Sequence, residues 1–284
     1  MTRIKFFITC VILLSILLAQ AALRMPFLRE PVEADEGAYA YIAQRLLAGE
    51  VPYRDIFDHK PPAIYFIYAG LFKLFGDEPI VLTFSSAAFG MLTTLAVFAV
   101  GILLFGVRGA LFSAGLYALF SGGPYVEGAS ANTEMFMVLP MVLALGCFLK
   151  AKQASPLLSL RERDVKINHW KNEKLGEGVK WLFLAGFFSG LAVMIKQVAV
   201  FNFLVLVGFS FTKMSNVQCP MSNEGVSYLD KVAKRHHHWK LEIGNWKLGG
   251  GIIYLLLGFL LFPLAFTLYF WSRGALPDFV RCVF

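Results

Sequence analysis

The sequence predicts an all-α integral membrane protein, a polytopic helical bundle with amphipathic interfacial helices in its first outer loop. Of the 284 residues, 57% are apolar and only 16% are charged, whereas soluble domains carry about a quarter charged residues. Several apolar runs reach the length of a membrane-spanning helix. The net charge of +7 does not indicate a nucleic-acid partner, because most of the excess positive charge lies in two loops between those runs, where membrane topology accounts for it.

Seven apolar runs are candidates for membrane spans. The first resembles a signal peptide, because Ala19-Gln20-Ala21 looks like a cleavage site, but its length favours an uncleaved helix. The fifth and sixth runs are both short and adjacent, so one long tilted helix is an alternative to two spans. The runs occupy residues 6–23, 80–105, 109–123, 132–150, 181–195, 197–212 and 251–271.

The polar loops set the predicted orientation. Loops 151–180 and 213–250 are rich in Lys and Arg and are predicted to be cytoplasmic, as is the N-terminus.

The apolar run 63–75 would cover only about 20 Å of the roughly 30 Å hydrocarbon core. Since a crossing there would place loop 151–180 outside, we expect 63–75 to be an interfacial or re-entrant helix. Loop 24–79 is then extracytoplasmic, in a single transmembrane domain, 1–284, of the plasma (inner) membrane.

An acidic pair opens the first outer loop. After Asp35, apolar residues recur with the 3.6-residue period of an amphipathic helix, and Gly49 suits the position just after its end. Asp35 at the start of this helix is either an N-cap, with Glu36 favoured by the helix dipole, or a carboxylate that accepts a proton from an acceptor hydroxyl. The two roles can coexist, because a cap fixes the carboxylate in position.

A second polar cluster precedes the short apolar run. Pro61 and Pro62 restrict the backbone after Lys60, so this cation is expected at the depth of lipid headgroups, where it suits the phosphate of a polyprenyl carrier. The alternative is an interfacial lysine that snorkels. Asp58 and His59 are either a second proton-transfer pair or ordinary loop residues.

Two further ionisable residues lie near span ends on the predicted outer side. Glu134 begins the fourth span and Lys196 separates the fifth from the sixth. Ionisable groups this close to the membrane are candidates for function, and an ion pair between the two is conceivable. The alternative is that each is an interface residue at a helix end.

The pattern of the first outer loop resembles the dolichyl-phosphate-mannose–protein mannosyltransferase-like family of GT-C glycosyltransferases (glycosyltransferase family 39), whose relatives include the aminoarabinose transferase that modifies lipid A. The resemblance rests on Asp35-Glu36 before the amphipathic helix, on Pro52-Tyr53-Arg54-Asp55, and on Asp58-His59-Lys60-Pro61-Pro62 before the short helix. It extends through Asn132-Thr133-Glu134, the run 190–196 and the segment 273–279.

This resemblance implies an enzyme, an inverting hexosyl or pentosyl transferase, that moves a sugar from a polyprenyl-phosphate donor to an acceptor on the extracytoplasmic face. The catalytic carboxylate would be Asp35, with Glu36 beside it, and Lys60 would contact the carrier phosphate, with help from Lys196. A divalent metal is left open, because two adjacent acids without a third ligand are a weak metal signal. Residues expected to support the site are Tyr39, Arg54, Asp58, His59 and Glu134.

The chain departs from the family in two ways. The lipid A branch has an arginine where this chain has Ala38 and an acid where it has His59, which argues against the substrate of that branch and favours a generic family member. Family members are also longer, and we expect this chain to be the N-terminal part of a longer protein. The rival interpretations are a transporter or flippase of lipid-linked substrates, which would favour internal repeats, and a non-enzymatic or inactive truncated membrane protein.

Overall fold

The computed structural model describes residues 3–123, 130–154, 168–210, 212–216, 239–243 and 251–284. Within these ranges the regular secondary structure is helical apart from two short strands, which confirms the predicted all-α class. The helices are α1 (Arg3–Arg24), α2 (Ala34–Leu47), α3 (Ala63–Phe75), α4 (Pro79–Ser121), α5 (Thr133–Ala154), α6 (Asn168–Ile195), α7 (Val200–Ser210), α8 (Gly251–Ser272) and α9 (Leu276–Val283), with 3₁₀ turns at Met25–Arg29 and Gln197–Ala199.

Five helical segments of the described chain are long and apolar enough to cross a membrane, which indicates a multi-pass membrane protein. The run 63–75, predicted not to cross, is a separate helix with the expected bounds. The five candidate segments are Arg3–Phe27, Pro79–Ser121, Thr133–Gln153, Gly176–Ile195 and Gly251–Ser272.

Helix α4 is a helical hairpin. Its 43 residues are interrupted at Gly106, whose φ of 71° and ψ of −178° lie outside the helical region. A Cβ atom added at Gly101 would lie 2.7 Å from the Cα of Ala110, so the two arms, 79–105 and 107–121, fold back on each other. The two separate apolar runs predicted here are confirmed, and glycine permits both the turn and the close approach.

The first loop begins and ends at one level of the bundle. Arg24, at the end of α1, donates a hydrogen bond of 2.9 Å to the Ser86 hydroxyl near the start of α4. The intervening segment, including α3, therefore enters and leaves on the same side, as the positions of the basic loops predicted. We call this side the loop end: it comprises residues 24–79, 130–132, 196–199 and 273–284.

The other end of the bundle carries the predicted cytoplasmic loops. The Lys152 ammonium near the end of α5 donates 3.2 Å to the carbonyl of Ser210, the last residue of α7, so α7 returns the chain to this end. The break at Lys196, with an extended φ of −151°, thus separates two segments, and the alternative of one long helix is wrong. The orientation of the two ends across the membrane stays a prediction.

The polar loop 151–180 is shorter than expected. Helix α6 begins at Asn168, so residues 168–180, predicted as loop, are helical. Charged and polar residues argue against a membrane span, but they do not prevent a helix from extending beyond the apolar core. In the loop 213–250 the structure describes only the strands β1 (Thr212–Asn216) and β2 (Trp239–Ile243), which pair antiparallel; the rest of that predicted loop lies outside the described residues.

Helices α6 and α8 are packed backbone to backbone. A Cβ atom added at Gly186 or Gly190 of α6 would collide with the carbonyls of Leu255 and Phe259, and one added at Gly258 would collide with the carbonyl of Phe183. Small residues let helices approach this closely in a membrane, where packing rather than hydrophobic burial holds them together. This contact fixes the position of α8 and hence of the chain beyond it at the loop end.

Candidate active site

The start of α2 is built differently from the prediction. Its N-cap is Glu33, in an extended conformation (φ −67°, ψ 162°), and Glu36 completes a capping box with it. Asp35 is therefore not the N-cap, and that interpretation is wrong. The acid three residues before Glu36 takes the role, because the capping box needs this spacing. Asp35 lies in the first turn, where the helix dipole favours a negative charge. Its side chain takes no part in the capping box.

Glu36 is a buried carboxylate that holds two backbone segments. One oxygen accepts a hydrogen bond from the backbone N–H of Glu33 at 3.1 Å, and the other accepts from the backbone N–H of Ala131. Next to this contact the Asn132 amide donates to Glu33 at 3.2 Å. Because both Glu36 oxygens are engaged, its contacts are those of a residue that positions the start of α2 against segment 130–132.

Asp35 and Lys60 form an ion pair. The Lys60 Nζ atom lies 3.4 Å from Asp35 Oδ2, which also accepts a hydrogen bond from the Tyr39 hydroxyl at 3.2 Å. The Asp35 side chain is 60% exposed and that of Lys60 only 18%. The structure thus brings together three of the predicted site residues, with the carboxylate toward solvent and the cation beneath it.

A second ion pair, between Lys196 and Glu134, has the same arrangement. The carboxylate is 58% exposed and the lysine 22%, so again the cation is the more buried partner. The pair that the sequence made conceivable is therefore present. The side-chain amide of Gln197 donates to the carbonyl of His59 at 3.2 Å, which ties the Lys196 segment to the Lys60 segment.

The other predicted supporting residues lie in the turn and irregular segment that lead to Lys60. Asp58 accepts from the backbone N–H of His59 at 2.6 Å and lies 3.3 Å from its exposed imidazole. Arg54 donates to both oxygens of Asp55 at 2.9 Å and to the carbonyl of Arg273 at 2.8 Å. Arg54 thus holds the turn against the end of α8.

Asp55, in the turn 51–56, carries a strongly stabilised negative charge. The Arg54 hydrogen bonds, followed by one from the backbone N–H of Val51, lower the pKa of Asp55 from 3.8 to about 2. Hydrogen bonds to an ionised carboxylate favour its charged form. Asp55 is therefore ionised at any physiological pH, and it keeps the turn 51–56 closed.

Sequence reasoning missed the tyrosines beneath Lys60. The Tyr53 and Tyr65 hydroxyls both donate to the carbonyl of Lys60, at 2.6 Å and 3.4 Å. Burial raises the pKa of both phenols, so they remain neutral donors. Tyr65 lies in an apolar run, where a tyrosine is typical of the core, and Tyr53 belongs to the Pro52-Tyr53-Arg54-Asp55 pattern, which assigned no role to its hydroxyl.

The site is electrostatically connected through Tyr39. Burial is the main cause of its raised pKa, followed by the charge and hydrogen bond of Asp35 and by the charges of Asp58 and Glu134. Carboxylates from the first loop and from α5 therefore act on the same phenol. The charges of three carboxylates thus converge on one phenol at the loop end.

No metal centre is assigned. Within the part of the chain that the structure describes, no three His, Cys, Asp or Glu side chains come together as a metal site requires.

A cavity of about 310 Å³ lies beside this site. It is bordered by Glu36, whose carboxylate accepts backbone hydrogen bonds, and not by Asp35. Its other lining residues are Glu30, Val32, Glu78, Pro79, Ile80, Leu82 and Thr83.

The fold is that of a polytopic membrane protein of the GT-C type. The chain is similar to the Archaeoglobus fulgidus oligosaccharyltransferase, in a crystal structure with an acceptor peptide containing the NVT sequon tethered via a disulfide bond. The TM-score is 0.55 at 18% sequence identity, and the match covers 74% of this chain and 27% of that one. This chain thus spans about a quarter of the length of its structural neighbour.

The family comparison is in agreement. Residues 59–159 match the family described as dolichyl-phosphate-mannose-protein mannosyltransferase, and no curated protein matches the chain. The matched region includes Lys60 and Glu134, whereas Asp35 and Lys196 lie outside it. Family match and fold together support the GT-C glycosyltransferase family that the first loop resembles.

Proposed function

We propose that this chain acts as a membrane glycosyltransferase that moves a sugar from a polyprenyl-phosphate donor to an acceptor on the extracytoplasmic face. The observation that carries the proposal is the pair of half-buried lysines at the loop end, Lys60 and Lys196, each beneath an exposed carboxylate. A glycosyl phosphate needs cations where negative charge develops as it leaves. An acceptor hydroxyl needs a nearby base. This site offers both within one group of side chains.

The two lysines would bind the donor phosphate. In the free protein each is neutralised by a carboxylate, and each lies at the point where a helix begins or breaks, beside either Pro61-Pro62 or the 3₁₀ turn after α6. The donor phosphate is a diester with one negative charge, so it offers the two ammonium groups charged oxygens in place of the carboxylates, and its charge increases as the sugar leaves. Donor binding would thus draw Lys60 away from Asp35 and leave that carboxylate free to accept a proton.

Asp35 would be the catalytic base. The acceptor oxygen attacks the anomeric carbon while the bond from that carbon to the phosphate oxygen breaks. The phosphate leaves with the bonding electrons and is stabilised by Lys60 and Lys196, and the acceptor proton passes to Asp35. A single displacement of this kind inverts the anomeric centre. The Tyr39 hydroxyl bonded to Asp35 would orient the carboxylate.

The remaining predicted residues would act through Asp35, Lys60 and Lys196. Glu36 holds the start of α2 through two backbone contacts and is a positioning residue in this proposal. Glu134 keeps Lys196 in place until the donor arrives. Arg54 and Asp58 stabilise the backbone before Lys60, and we assign His59 no proton-transfer step.

Sugar transfer tests the proposal directly. Membranes containing the chain are supplied with labelled dolichyl-phosphate or undecaprenyl-phosphate mannose, and label in the acceptor fraction is measured. Asp35→Asn should lower transfer by about 100-fold or more without changing expression or thermal stability. The control Asp77→Asn, which alters a carboxylate of the same loop that bonds Gln44, should transfer normally. Equal transfer by both variants, or none by the wild type, would count against the proposed reaction.

The side of the membrane is tested separately. Cysteines placed at the exposed positions Glu30 and Arg108 report the loop end and the opposite end of the bundle. The proposal expects a membrane-impermeant thiol reagent to label the Glu30→Cys variant in intact cells and the Arg108→Cys variant only after permeabilisation. The reverse pattern would place the site in the cytoplasm and contradict an extracytoplasmic acceptor.

A further inference from the structure

Tyr53 has an unusual backbone conformation. Its φ is +70°, and within the described part of the chain it is the only residue other than glycine with a positive φ. A residue with a bulky side chain rarely adopts this region, because its Cβ crowds the backbone. Such conformations persist only when the surrounding structure fixes them, and they cluster at functional sites.

The surroundings of Tyr53 fix both its backbone and its ring. Its N–H donates to the carbonyl of Ile56 at 2.8 Å, which closes the turn. Its buried ring packs against Tyr65, Phe270 and Phe279, with centroid distances of 6.2, 5.2 and 5.6 Å. The ring is therefore held among α3, α8 and α9, and the turn cannot relax without disturbing all three helices.

The side chain of this strained residue contacts the backbone of Lys60. The Tyr53 hydroxyl donates to the Lys60 carbonyl at 2.6 Å, and Tyr65 adds a longer bond of 3.4 Å to the same oxygen. The following Pro61 and Pro62 limit the backbone on the other side. The Lys60 backbone is thus gripped at its carbonyl, while its side chain extends to Asp35.

We propose that Tyr53 is the positioning residue for Lys60: its strained backbone aims a hydroxyl at the Lys60 carbonyl and sets the place of the ammonium. The purpose of that placement, to meet a donor phosphate, rests on the function proposed above. The placement itself does not, because Lys60 can be observed without any sugar transfer.

Amine reactivity measures the placement. The full chain in detergent is treated with limiting acetic anhydride, and acetylation at each lysine is followed by mass spectrometry. Tyr53→Phe keeps the ring and removes only the hydroxyl. The Lys60 rate should rise about three- to ten-fold, the range expected for loss of one hydrogen bond, while that of Lys196 in the same molecules is unchanged. Tyr68→Phe, which removes an equally buried hydroxyl bonded to the Ala131 carbonyl at 2.8 Å, should leave the Lys60 rate unchanged.

Two results would overturn the inference. One is an unchanged Lys60 rate in Tyr53→Phe; the other is an equal rise at Lys60 and Lys196, which would mean general loosening of the fold. In the transfer assay, Tyr53→Phe should lower kcat/KM for the donor in the wild-type background but cause no further loss in a Lys60→Met background. If no variant transfers sugar, the proposed function fails, and the ratio of the two acetylation rates still decides the role of Tyr53.

Discussion

The Nζ atom of Lys60 lies 3.4 Å from Oδ2 of Asp35, and the lysine side chain is the more buried member of the pair. Lys196 and Glu134 repeat this arrangement at the break after α6. In both pairs the lysine side chain is the less exposed member and its carboxylate faces solvent. A ligand phosphate that arrives from the solvent side must therefore compete with the carboxylates for the two ammonium groups.

This competition predicts an unusual effect of Asp35→Asn. Removing the carboxylate frees Lys60, so affinity for undecaprenyl phosphate should increase by up to about five-fold, the strength of an exposed ion pair, even though transfer is lost. Titration of the lipid into the purified chain measures this affinity. The control Glu50→Gln breaks the exposed pair with Arg45 and should leave affinity unchanged. A weaker affinity in Asp35→Asn would mean that the carboxylate aids donor binding and does not compete with it.

Glu36→Gln should destabilise the fold. Both oxygens of this buried carboxylate accept backbone N–H groups, and an amide replaces one acceptor with a donor that faces another donor. The expected loss in the free energy of unfolding is about 1–3 kcal/mol, measured by chemical denaturation in detergent. Glu30→Gln, at an exposed site, is the matched control. A Glu36→Gln variant as stable as this control would refute the positioning role assigned to Glu36.

The contact between α6 and α8 makes a prediction about glycine. Gly190→Ala places a methyl group against the carbonyl of Phe259, and overpacking of this kind costs about 1–3 kcal/mol. In Gly208→Ala the added methyl meets nothing within 4 Å, and alanine favours helix over glycine. Thermal unfolding should therefore show a lower midpoint for the first variant and an equal or higher midpoint for the second. Equal midpoints would mean that α6 and α8 are not packed this closely.

The buried tyrosines predict an alkaline limit to stability. Burial raises the pKa of Tyr39, Tyr53, Tyr65 and Tyr68 above the usual value. A group whose pKa is higher in the folded state contributes stability below its unfolded pKa, about 10 for tyrosine, and loses it as pH rises further. These tyrosines should cause no pH dependence between about pH 6 and 9.

The decrease of stability with rising pH above about pH 9 tests this prediction. Tyr65→Phe removes one of these titrating groups, so the unfolding temperature of this variant should fall less steeply than that of the wild type between about pH 9.5 and 11. Tyr41→Phe, at an exposed position, should keep the wild-type slope. Parallel curves for wild type and Tyr65→Phe would show that Tyr65 is not a neutral buried phenol.

Much of the fold follows from sequence because apolar length and glycine positions have direct physical consequences. The two arms around Gly106, the end of α2 before Gly49 and the bounds of α3 all followed from such patterns. The cap of α2 did not, because glutamate is not among the preferred N-cap residues and Asp35 was the better local candidate. The start of α6 at Asn168 was also missed, since a polar helix beyond the membrane core has no apolar signature.

The candidate site was predictable as a set of residues but not as an arrangement. Asp35, Lys60, Glu134 and Lys196 each stood out as a charge near an apolar run. The Glu134–Lys196 pair was conceivable because both residues lie near span ends on the predicted outer side, whereas the Asp35–Lys60 pair depends on the path of the loop, which no local pattern encodes. Tyr53 was part of the Pro52-Tyr53-Arg54-Asp55 pattern, but its role was not predicted, because a position with positive φ predicts glycine or asparagine rather than tyrosine.

Binding of undecaprenyl phosphate decides whether the loop end holds a lipid-linked phosphate through Lys60. The lipid is titrated into the wild-type chain, Lys60→Met and Lys73→Met, in which the last change removes an exposed lysine of the same loop. The wild type and Lys73→Met should bind equally, and Lys60→Met should bind about ten-fold more weakly or worse, because a charge-assisted contact to phosphate is lost. Equal binding by all three proteins would show that Lys60 does not bind the phosphate.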